Sequence, residues 1–485
     1  MLEEFNKLIF QKIDHFIADI DAKEKGTLCD FSGTIFEGSI SFSRYDLNNP
    51  LPDIFLRNCQ LSGTVDFSKA NFSKAAFFLE TTFNDDVDFS QAHFTSKAAF
   101  IGSKFIGRAV FNGTKFSEAA SFVGADFFNE ANFTEANFSK PANFQNAKFR
   151  IGAIFHKNFF GNGASFELVQ FDGFSGIAEG KFNEAVLFGS TQFGGKFLFL
   201  QNQFAKRVFF PTSVFNDGEF RDNIFKEGKA FNGVKIKENI RLENEDLKNT
   251  CFMNTDLMKI DFVNCKWNIK HGRKLLVDEI HIFEKVTHKD IETKNHLEER
   301  FGIFEKLIIS LKEIINKLSQ KYISYNKEDI LKVETLYRRL KQKYKEECNE
   351  SEIANWHYGE REMFRKSNLF RRYFPLSISN LYWFSSGYGE RPTRAGAVLL
   401  FLVIIMSYLL GLAGIRSADS GDISRIMEWK DLWNLDYLKT TLEYATFDAK
   451  PNFTPCNEFI KIGIKLIIPI QTTLFALAIR NRFRR

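Results

Sequence analysis

Large apolar residues recur along the first half of this chain at a fixed spacing of eleven residues, in two interleaved sets. The first set contains only phenylalanine: Phe72, Phe83, Phe94, Phe105, Phe116, Phe127, Phe138, Phe149, Phe160, Phe171, Phe182, Phe193, Phe204 and Phe215. The second set includes one isoleucine: Phe67, Phe78, Phe89, Phe100, Phe111, Phe122, Phe133, Phe144, Phe155, Phe166, Ile177, Phe188, Phe199 and Phe210. Steps between successive rings therefore alternate between five and six residues, which neither an α-helix nor a flat strand explains. This self-similarity predicts a solenoid, whose units bury their apolar sides only by stacking on one another.

A small or β-branched residue stands two positions before most of these rings, and Ala131 before Phe133 is one example. A large and a small side chain can share one short inward face, while Asn, Asp, Ser, Thr and Gly suit the corners. This pattern resembles the pentapeptide-repeat family, whose unit reads A-(N/D)-(L/F)-x-x, and residues 131–135 and 136–140 are two clean copies. The resemblance implies a right-handed quadrilateral β-helix. The extra residue of the six-residue steps suggests a bulged corner on every second face.

The predicted fold class is a β-solenoid followed by an α-helical linker and two transmembrane helices. Residues 1–26 are expected to contain an amphipathic capping helix, and residues 27–268 form the β-helix. Residues 272–374 form a helical coupling region that ends in a helical hairpin. Within it, a heptad pattern over 297–322 indicates either a helix of an intramolecular bundle or a coiled coil that makes the protein oligomeric. Residues 375–485 form the membrane domain.

Two apolar segments predict membrane-spanning helices at about 395–415 and 459–479. The first has no charged residue along its length, and as a helix it would be about 31 Å long. The basic residues that flank the two spans are Arg371, Arg372, Arg391, Arg394, Arg480, Arg482, Arg484 and Arg485. The connection 416–458 has five Lys or Arg against eight Asp or Glu. Because positive flanks stay in the cytoplasm, we expect a multi-pass protein of the bacterial inner membrane with both termini and the β-helix cytoplasmic.

Several residues around the spans indicate how they are held. Tyr382, Trp383 and Tyr388 lie just before the first span, where an aromatic belt at the membrane interface is expected. Pro469 in the middle of the second span, followed by Gln471, predicts a kinked helix whose freed polar groups need a partner. The second span is therefore expected to lie beside another helix.

The connection between the spans looks similar to the pore helix and filter of potassium-type channels. Residues 440–451 read TTLEYATFDAKP, and Asp448 with Pro451 matches the D-x-x-P that follows the filter in that family. The glycine-containing filter is missing, so potassium selectivity is not expected. The pore or loop candidates are Glu443, Thr446, Phe447 and Asp448. An unselective or gated pore in an oligomer and a degenerate module that serves only as a membrane anchor both stay open.

Composition argues against other classes of function. Over residues 61–230, seventeen Lys or Arg balance seventeen Asp or Glu, so the rod lacks the acidic surface of the DNA mimics known in the family, and no nucleic-acid partner is expected. No P-loop, dinucleotide glycine pattern, H-E-x-x-H or nucleophile elbow occurs. The six cysteines include no C-x-x-C pair. We therefore expect no catalytic, cofactor-binding or metal site, and no enzyme activity.

The leading hypothesis is a membrane-anchored, non-enzymatic protein. Its cytosolic β-helix would be a platform for protein interaction or assembly, coupled to the two-span membrane hairpin. The expected partners are the lipid bilayer and either further copies of the chain or an unidentified protein. The alternative hypothesis is an ion-channel-like or membrane-permeabilising effector that the cytosolic domain gates.

Overall fold

The computed structural model describes residues 2–18, 29–270, 272–282, 327–367, 377–417, 421–425, 435–446 and 452–483. The chain divides into two compact units, Met1–His281 and Ile282–Arg485, and each is described by itself. The predicted heptad helix at 297–322 lies outside the described residues.

The first unit is a β-solenoid with four faces per coil, which confirms the predicted fold class. On each face, a strand pairs in parallel with the equivalent strand of the next coil, as Ala98 does with Ala120 and Phe116 with Phe138. The first face has eleven strands: Cys29–Asp30, Ile54–Arg57, Ala76–Leu79, Ala98–Ala99, Ala120–Ser121, Ala142–Asn143, Ala164–Ser165, Val186–Leu187, Val208–Phe209, Lys229–Ala230 and Thr250–Cys251. The solenoid therefore has about eleven coils.

The other three faces follow the same order around each coil. The second contains Ile35–Phe36, Gln60–Leu61, Thr82–Phe83, Lys104–Phe105, Asp126–Phe127, Lys148–Phe149 and Gln170–Phe171. The third contains Ile40–Ser41, Val65–Asp66, Val87–Asp88, Ala109–Val110, Ala131–Asn132, Ala153–His156, Ser175–Ala178 and Ile260–Val263. Three longer strands run through both of these faces: Gln192–Leu200, Val214–Arg221 and Lys235–Glu243. The fourth contains Asn71–Phe72, His93–Phe94, Lys115–Phe116, Asn137–Phe138, Phe159–Phe160, Lys181–Phe182, Gln203–Phe204 and Ile224–Phe225.

Phenylalanine rings fill the interior as four columns. Within a column, each ring stacks on the equivalent ring of the next coil; Phe133 and Phe155 have ring centroids 4.8 Å apart and planes 1° from parallel. Between columns the rings meet edge to face, as Phe133 and Phe144 do at 5.6 Å and 90°. Both arrangements are favourable for aromatic pairs. Each of the two series in the sequence therefore divides into two columns, because one coil contains two rings of each series.

The corners between faces are of two alternating kinds. In the five-residue steps the chain turns through a residue with positive φ, which recurs every eleven residues, as at Glu135 (φ 58) and Asn146 (φ 59). This conformation costs non-glycine residues about 1–2 kcal/mol, but it aims the backbone N–H of Glu135 at the carbonyl of His156 in the next coil, at 2.7 Å. The six-residue steps add one corner residue. The extra residue makes each of these corners longer, at the position where the sequence suggested a bulge. It does not change the register between the strands of successive coils.

A helix packs on the first coil. This helix, α1, spans Leu2–Ala18, within the predicted capping region. Its Ile13 side chain is fully buried, and the Tyr45 hydroxyl of the first coil donates to Asp14 Oδ1 at 2.8 Å. A helix in this position covers strand edges that would otherwise be open to pairing with other chains.

The last coil is closed by a short antiparallel hairpin, Asn268–Lys270 with Arg273–Leu275, and by a buried carboxylate that follows it. Asp278 accepts hydrogen bonds from the backbone N–H groups of Phe252 and Met253, at 3.0 to 3.1 Å. Burial raises the pKa of Asp278 to about 6, although these two donors act in the opposite direction. The carboxylate thus satisfies backbone groups that have no further coil to pair with.

A ladder of polar side chains runs through the core of the later coils. Asn202 donates from Nδ2 to Asn223 Oδ1 at 3.0 Å, and Asn223 donates from Nδ2 to Glu245 Oε1 at 2.9 Å. The Lys229 ammonium donates to Glu245 Oε2 at 2.5 Å, and neither side chain is exposed. Because buried polar groups are costly unless they are paired, this ladder favours one alignment of the coils that it connects.

The described part of the second unit contains six helices and a three-stranded antiparallel sheet. The helices are α2 (Lys327–Glu346), α3 (Glu350–Lys366), α4 (Ile378–Ser386), α5 (Pro392–Ala413), α6 (Leu435–Ala445) and α7 (Glu458–Phe483). The strands of the sheet are Ile415–Ser417, Ile423–Ser424 and Phe453–Pro455. The helices α2 and α3 form the helical hairpin, and the Asn349 side chain between them caps α3 by accepting from the Glu352 N–H.

Two adjacent phenylalanines test how far the core rings determine stability. Phe160 is buried in a column, whereas Phe159 on the same strand points outward and is partly exposed. We expect Phe160→Ala to lower the free energy of unfolding by about 3–5 kcal/mol, because it leaves a cavity inside the stack. Phe159→Ala should cost less than about 1.5 kcal/mol. Denaturant unfolding followed by circular dichroism measures both, and equal losses would contradict the inward and outward assignment.

Candidate functional site at the membrane-side helices

The helices α5 and α7 are the two candidate membrane spans, with mean hydropathies of 2.5 and 1.9 over their most apolar segments. Gly396 lies against the Phe475 ring, and Gly463 lies near Met406, so the helices pack antiparallel. Their outward faces stay apolar and exposed, with Leu400, Phe401 and Ile404 on α5 and Ile462, Leu466 and Ile470 on α7. The helix α5 begins three residues before the predicted span, and α7 continues four residues beyond the predicted end.

One buried amide connects the two spans. Gln471 donates from Nε2 to the carbonyl of Ala395 at 2.9 Å and to that of Ser385 at 3.1 Å. Ala395 belongs to α5 and Ser385 to α4, so this side chain on α7 contacts both preceding helices. The amide two residues after Pro469 therefore has the partners that the sequence analysis expected it to need.

The helix α6 packs against both spans. Tyr437 and Tyr444 form one apolar cluster with Leu410 of α5 and Ile464 of α7. Ser407 donates from Oγ to Thr441 Oγ1 at 3.0 Å. Six residues separate Ser407 from the end of α5 at Ala413, about 9 Å along the helix axis. Part of α6 therefore lies beside the apolar length of α5 and not beyond its end.

Glu443 lies on the flank of α6, between its packed and its exposed faces. Its side chain is 16 % exposed, and Oε1 lies 3.9 Å from the Lys439 ammonium one turn earlier. The other oxygen, Oε2, is buried without a hydrogen-bond partner among the described residues. Thr446 follows the helix and is exposed, with its hydroxyl donating to the carbonyls of Leu442 and Glu443. The remaining pore or loop candidates, Phe447 and Asp448, lie outside the described residues.

A cluster of aromatic and charged side chains connects the helical hairpin to the start of α5. The Tyr388 hydroxyl donates to Glu362 Oε2 of α3 at 3.0 Å, and the Trp383 indole N–H donates to the Tyr358 hydroxyl at 3.1 Å. Gly389 beside Tyr388 has φ +77, and a side chain there would press on the Tyr382 hydroxyl. We call Tyr358, Glu362, Trp383 and Tyr388 the juxtamembrane cluster.

The juxtamembrane cluster changes one expectation from the sequence. Tyr388 is 2 % exposed and faces α3, so it is not part of an aromatic belt that faces lipid. Two of the predicted flanking arginines pack here as well: the Arg391 guanidinium lies 5.1 Å from the Tyr358 ring centre, and Arg394 donates to the Trp383 carbonyl at 3.1 Å. The sequence analysis did not predict this cluster, although Tyr, Trp and Arg residues occur both in α3 and between the start of α4 and the start of α5.

The charge at the centre of the juxtamembrane cluster is a carboxylate. Burial by itself would raise the pKa of Glu362, but Lys366 and Arg365 outweigh it and hold the pKa at about 2. Arg365 donates to Glu362 from both Nε and Nη2, at 3.3 and 2.8 Å. Glu362 is therefore ionised at every physiological pH, and it is a fixed acceptor for the Tyr388 hydroxyl.

The other predicted basic flanks have simpler positions. Arg480 and Arg482, near the end of α7, are exposed. Arg371, Arg372, Arg484 and Arg485 lie outside the described residues. No group of three or more His, Cys, Asp or Glu side chains that could hold a metal ion occurs in the part of the chain that the structure describes.

Residues 56–102 and 100–148 match a family model described as pentapeptide repeats (9 copies). This chain carries a pentapeptide-repeat β-helix. Among solved structures, HetL of the cyanobacterium Nostoc sp. strain PCC 7120, a pentapeptide repeat protein involved in heterocyst differentiation regulation, matches with 12 % identity and a TM-score of 0.21. The match covers 51 % of this chain and 89 % of HetL, and a similarity of this size supports no functional conclusion. No curated protein matches.

The pentapeptide-repeat β-helix is a typical protein-interaction scaffold. Its family match ends at residue 148, far before α2 begins at Lys327. The channel resemblance of residues 440–451 therefore has no support from the family comparison.

We expect Glu362→Gln to loosen α4 from the helical hairpin, because it leaves Arg365 and Lys366 without their buried counter-charge, at a cost of about 3–5 kcal/mol. Tyr388→Phe removes one hydrogen bond and should cost about 1 kcal/mol. Hydrogen exchange of α4 in detergent-solubilised protein measures the effect, and Glu350→Gln at an exposed position of α3 is the control. Unchanged exchange in Glu362→Gln would show that the cluster does not hold α4.

Proposed function

We propose that this protein is a membrane-anchored, non-enzymatic interaction platform. The pentapeptide-repeat β-helix lies in the cytoplasm and binds either an unidentified protein or further copies of the chain. The pair α5 and α7 spans the inner membrane of a bacterium, and α2 to α4 couple the two parts. Neither a cofactor nor a metal takes part.

The observation that carries this proposal is the exposure of apolar side chains on α5 and α7. In the core of a soluble protein, two helices of this hydropathy would be mostly buried, but here only 17 % and 22 % of their most apolar segments are buried. Lipid is the environment in which an exposed apolar helix surface has no cost. The Gln471 side chain in the middle of α7 is buried, and its amide donates to a carbonyl of α5.

Fractionation tests the anchor. We expect the full-length chain to stay in the membrane pellet after carbonate extraction and to be released by detergent. A chain that ends before α5, at residue 376, should appear in the soluble fraction, because it lacks both apolar helices. Full-length protein in the soluble fraction after cell lysis would overturn the anchor.

Two exposed cysteines test the orientation, since Cys348 lies between α2 and α3 and Cys456 precedes α7. We expect a membrane-impermeant maleimide to label only Cys456 in spheroplasts and both cysteines after lysis. Cys265 should react slowly, because burial raises the pKa of its thiol. Cys348→Ser and Cys456→Ser identify the two labels, and labelling of Cys348 in intact spheroplasts would reverse the orientation.

A second candidate function is an ion-conducting pore that several copies form. The observation in its favour is α6, which packs beside the apolar length of the spans and carries Glu443 with an unpaired buried oxygen. Ionisable groups at membrane depth often mark ion pathways. Two spans from one chain cannot enclose a pore, so this function requires an oligomer.

Membrane potential distinguishes the two candidates. If the pore exists, cells that express the wild type depolarise, and Glu443→Ala and Asp448→Ala change that depolarisation. Glu458→Ala, an exposed carboxylate at the start of α7, is the matched control. No depolarisation in wild-type cells at normal expression would leave only the anchored platform.

A further inference from the structure

One side of the short helix α4 carries three exposed large apolar side chains. They are Ile378, Leu381 and Phe384, with exposures of 86, 47 and 60 %. Because an α-helix turns by about 100° per residue, the three lie within about 120° of one another around the helix axis. The helix contains no charged residue. We call these three side chains the apolar face of α4, and in water their exposure is unfavourable.

The opposite side of α4 packs on the helical hairpin. Asn380 is buried and accepts a hydrogen bond from Arg365 Nη1 of α3 at 3.1 Å. The Trp383 indole N–H donates to the Tyr358 hydroxyl, also on α3, at 3.1 Å. Since Asn380 and Trp383 lie across the helix axis from Leu381, these bonds fix the rotation of α4. The hairpin therefore holds the apolar face of α4 outward and does not cover it.

The last turn of α4 lies beside the start of the apolar length of α5. The Gln471 amide donates both to the Ser385 carbonyl of α4 and to the Ala395 carbonyl of α5. Arg394, in the first turn of α5, donates from Nη1 to the Trp383 carbonyl of α4 at 3.1 Å. If α5 spans a bilayer, α4 is thus next to the point at which α5 enters it. At that level, acyl chains and lipid phosphates are adjacent.

Two arginines lie against the Trp383 ring, and only one of them has a counter-charge. The Arg365 guanidinium, 4.7 Å from the ring centre, forms an ion pair with Glu362. The Arg394 guanidinium lies 5.4 Å from the ring centre, and no carboxylate among the described residues lies within 4 Å of it. An arginine binds phosphate strongly through its fork of N–H donors. An uncompensated arginine beside an apolar face therefore matches the two parts of a phospholipid.

We propose that α4 lies in the cytoplasmic headgroup layer of the membrane, with its apolar face among the acyl chains and the Arg394 guanidinium on a lipid phosphate. The inference rests on the proposed function, because it requires α5 to span the bilayer. Amphipathic helices in this position bury their apolar side chains about 5–10 Å into the boundary between headgroups and acyl chains. Since α3 binds the opposite side of α4, the helical hairpin is then held on the cytoplasmic surface of the membrane.

Spin labels on the full-length chain in phospholipid vesicles test what surrounds the apolar face of α4. In a background with Cys348→Ser and Cys456→Ser, nitroxides at Leu381→Cys and Phe384→Cys should be more accessible to oxygen, which dissolves in lipid, than to a water-soluble nickel chelate. Phe174→Cys on the β-helix is the matched control, because Phe174 is 59 % exposed and Phe384 is 60 % exposed. Its label should show the reverse order. Circular dichroism confirms that each variant keeps its fold.

Two results would overturn this placement of α4. Labels at Leu381 and Phe384 that favour the nickel chelate would show that the apolar face lies in water. Labels that neither reagent reaches would show that protein covers the face. A nitroxide at Leu400→Cys, on the exposed side of α5, separates this proposal from the anchor. A lipid-like label at Leu400 with water-like labels on α4 would refute only the placement of α4, whereas a water-like label at Leu400 would refute the anchor itself.

Titration of the detergent-solubilised chain with phosphatidylglycerol, followed by native mass spectrometry, tests the phosphate contact. Arg394→Gln should weaken lipid binding about fivefold, because it removes a basic group from the lipid surface. Arg394→Lys keeps the charge and should retain most of the affinity, which separates the charge from packing on the Trp383 ring. Arg57→Gln, at an exposed position of the β-helix, is the control and should bind like the wild type. Equal affinity in Arg394→Gln and the wild type would overturn the role of Arg394.

Discussion

Ring stacking between coils is the constraint on which the β-helix depends. Parallel strands lie about 4.8 Å apart, and the Phe133 and Phe155 rings stack at 4.8 Å, so the same translation suits the backbone hydrogen bonds and the core. The coil between Phe42 and Phe67 has three residues more than the coil between Phe133 and Phe155, yet its two rings still stack, at 4.5 Å. Through most of the solenoid the length of the repeat stays constant from coil to coil, so outward residues at equivalent positions form columns of their own.

These outward columns explain how a regular rod can carry a specific surface. Side chains at equivalent positions of successive coils become neighbours, so a short pattern in the sequence becomes a line of contacts along the rod. Asp126 and Arg150 form such an inter-coil pair, and Ile106 and Phe128 form part of an apolar line. The core rings keep the positions of these residues constant. The function of the rod therefore depends on which side chains occupy the outward positions.

The membrane-side helices are held by a different kind of interaction. In addition to the apolar cluster that joins α5, α6 and α7, polar contacts connect particular helices: the Gln471 amide joins α7 to α4 and α5, and Glu362 joins α3 to Tyr388. In lipid, the environment proposed for α5 and α7, apolar packing between helices would bring no hydrophobic gain, so polar contacts such as these would help to determine which helices associate. The juxtamembrane cluster also connects the helical hairpin to the start of α5, because Arg391 lies against the Tyr358 ring.

The sequence by itself determined the repeat, the β-solenoid and the two apolar helices, because these depend on spacing and on uninterrupted hydrophobicity, which are local properties. It did not indicate that Asn202 and Asn223, each two positions before a core ring, form part of one ladder. Only the tertiary structure placed α6 beside α5 and brought Tyr388 back to Glu362 through the loop at Gly389. Those contacts join residues that are distant in sequence and follow no period, and they form only when the helices have packed.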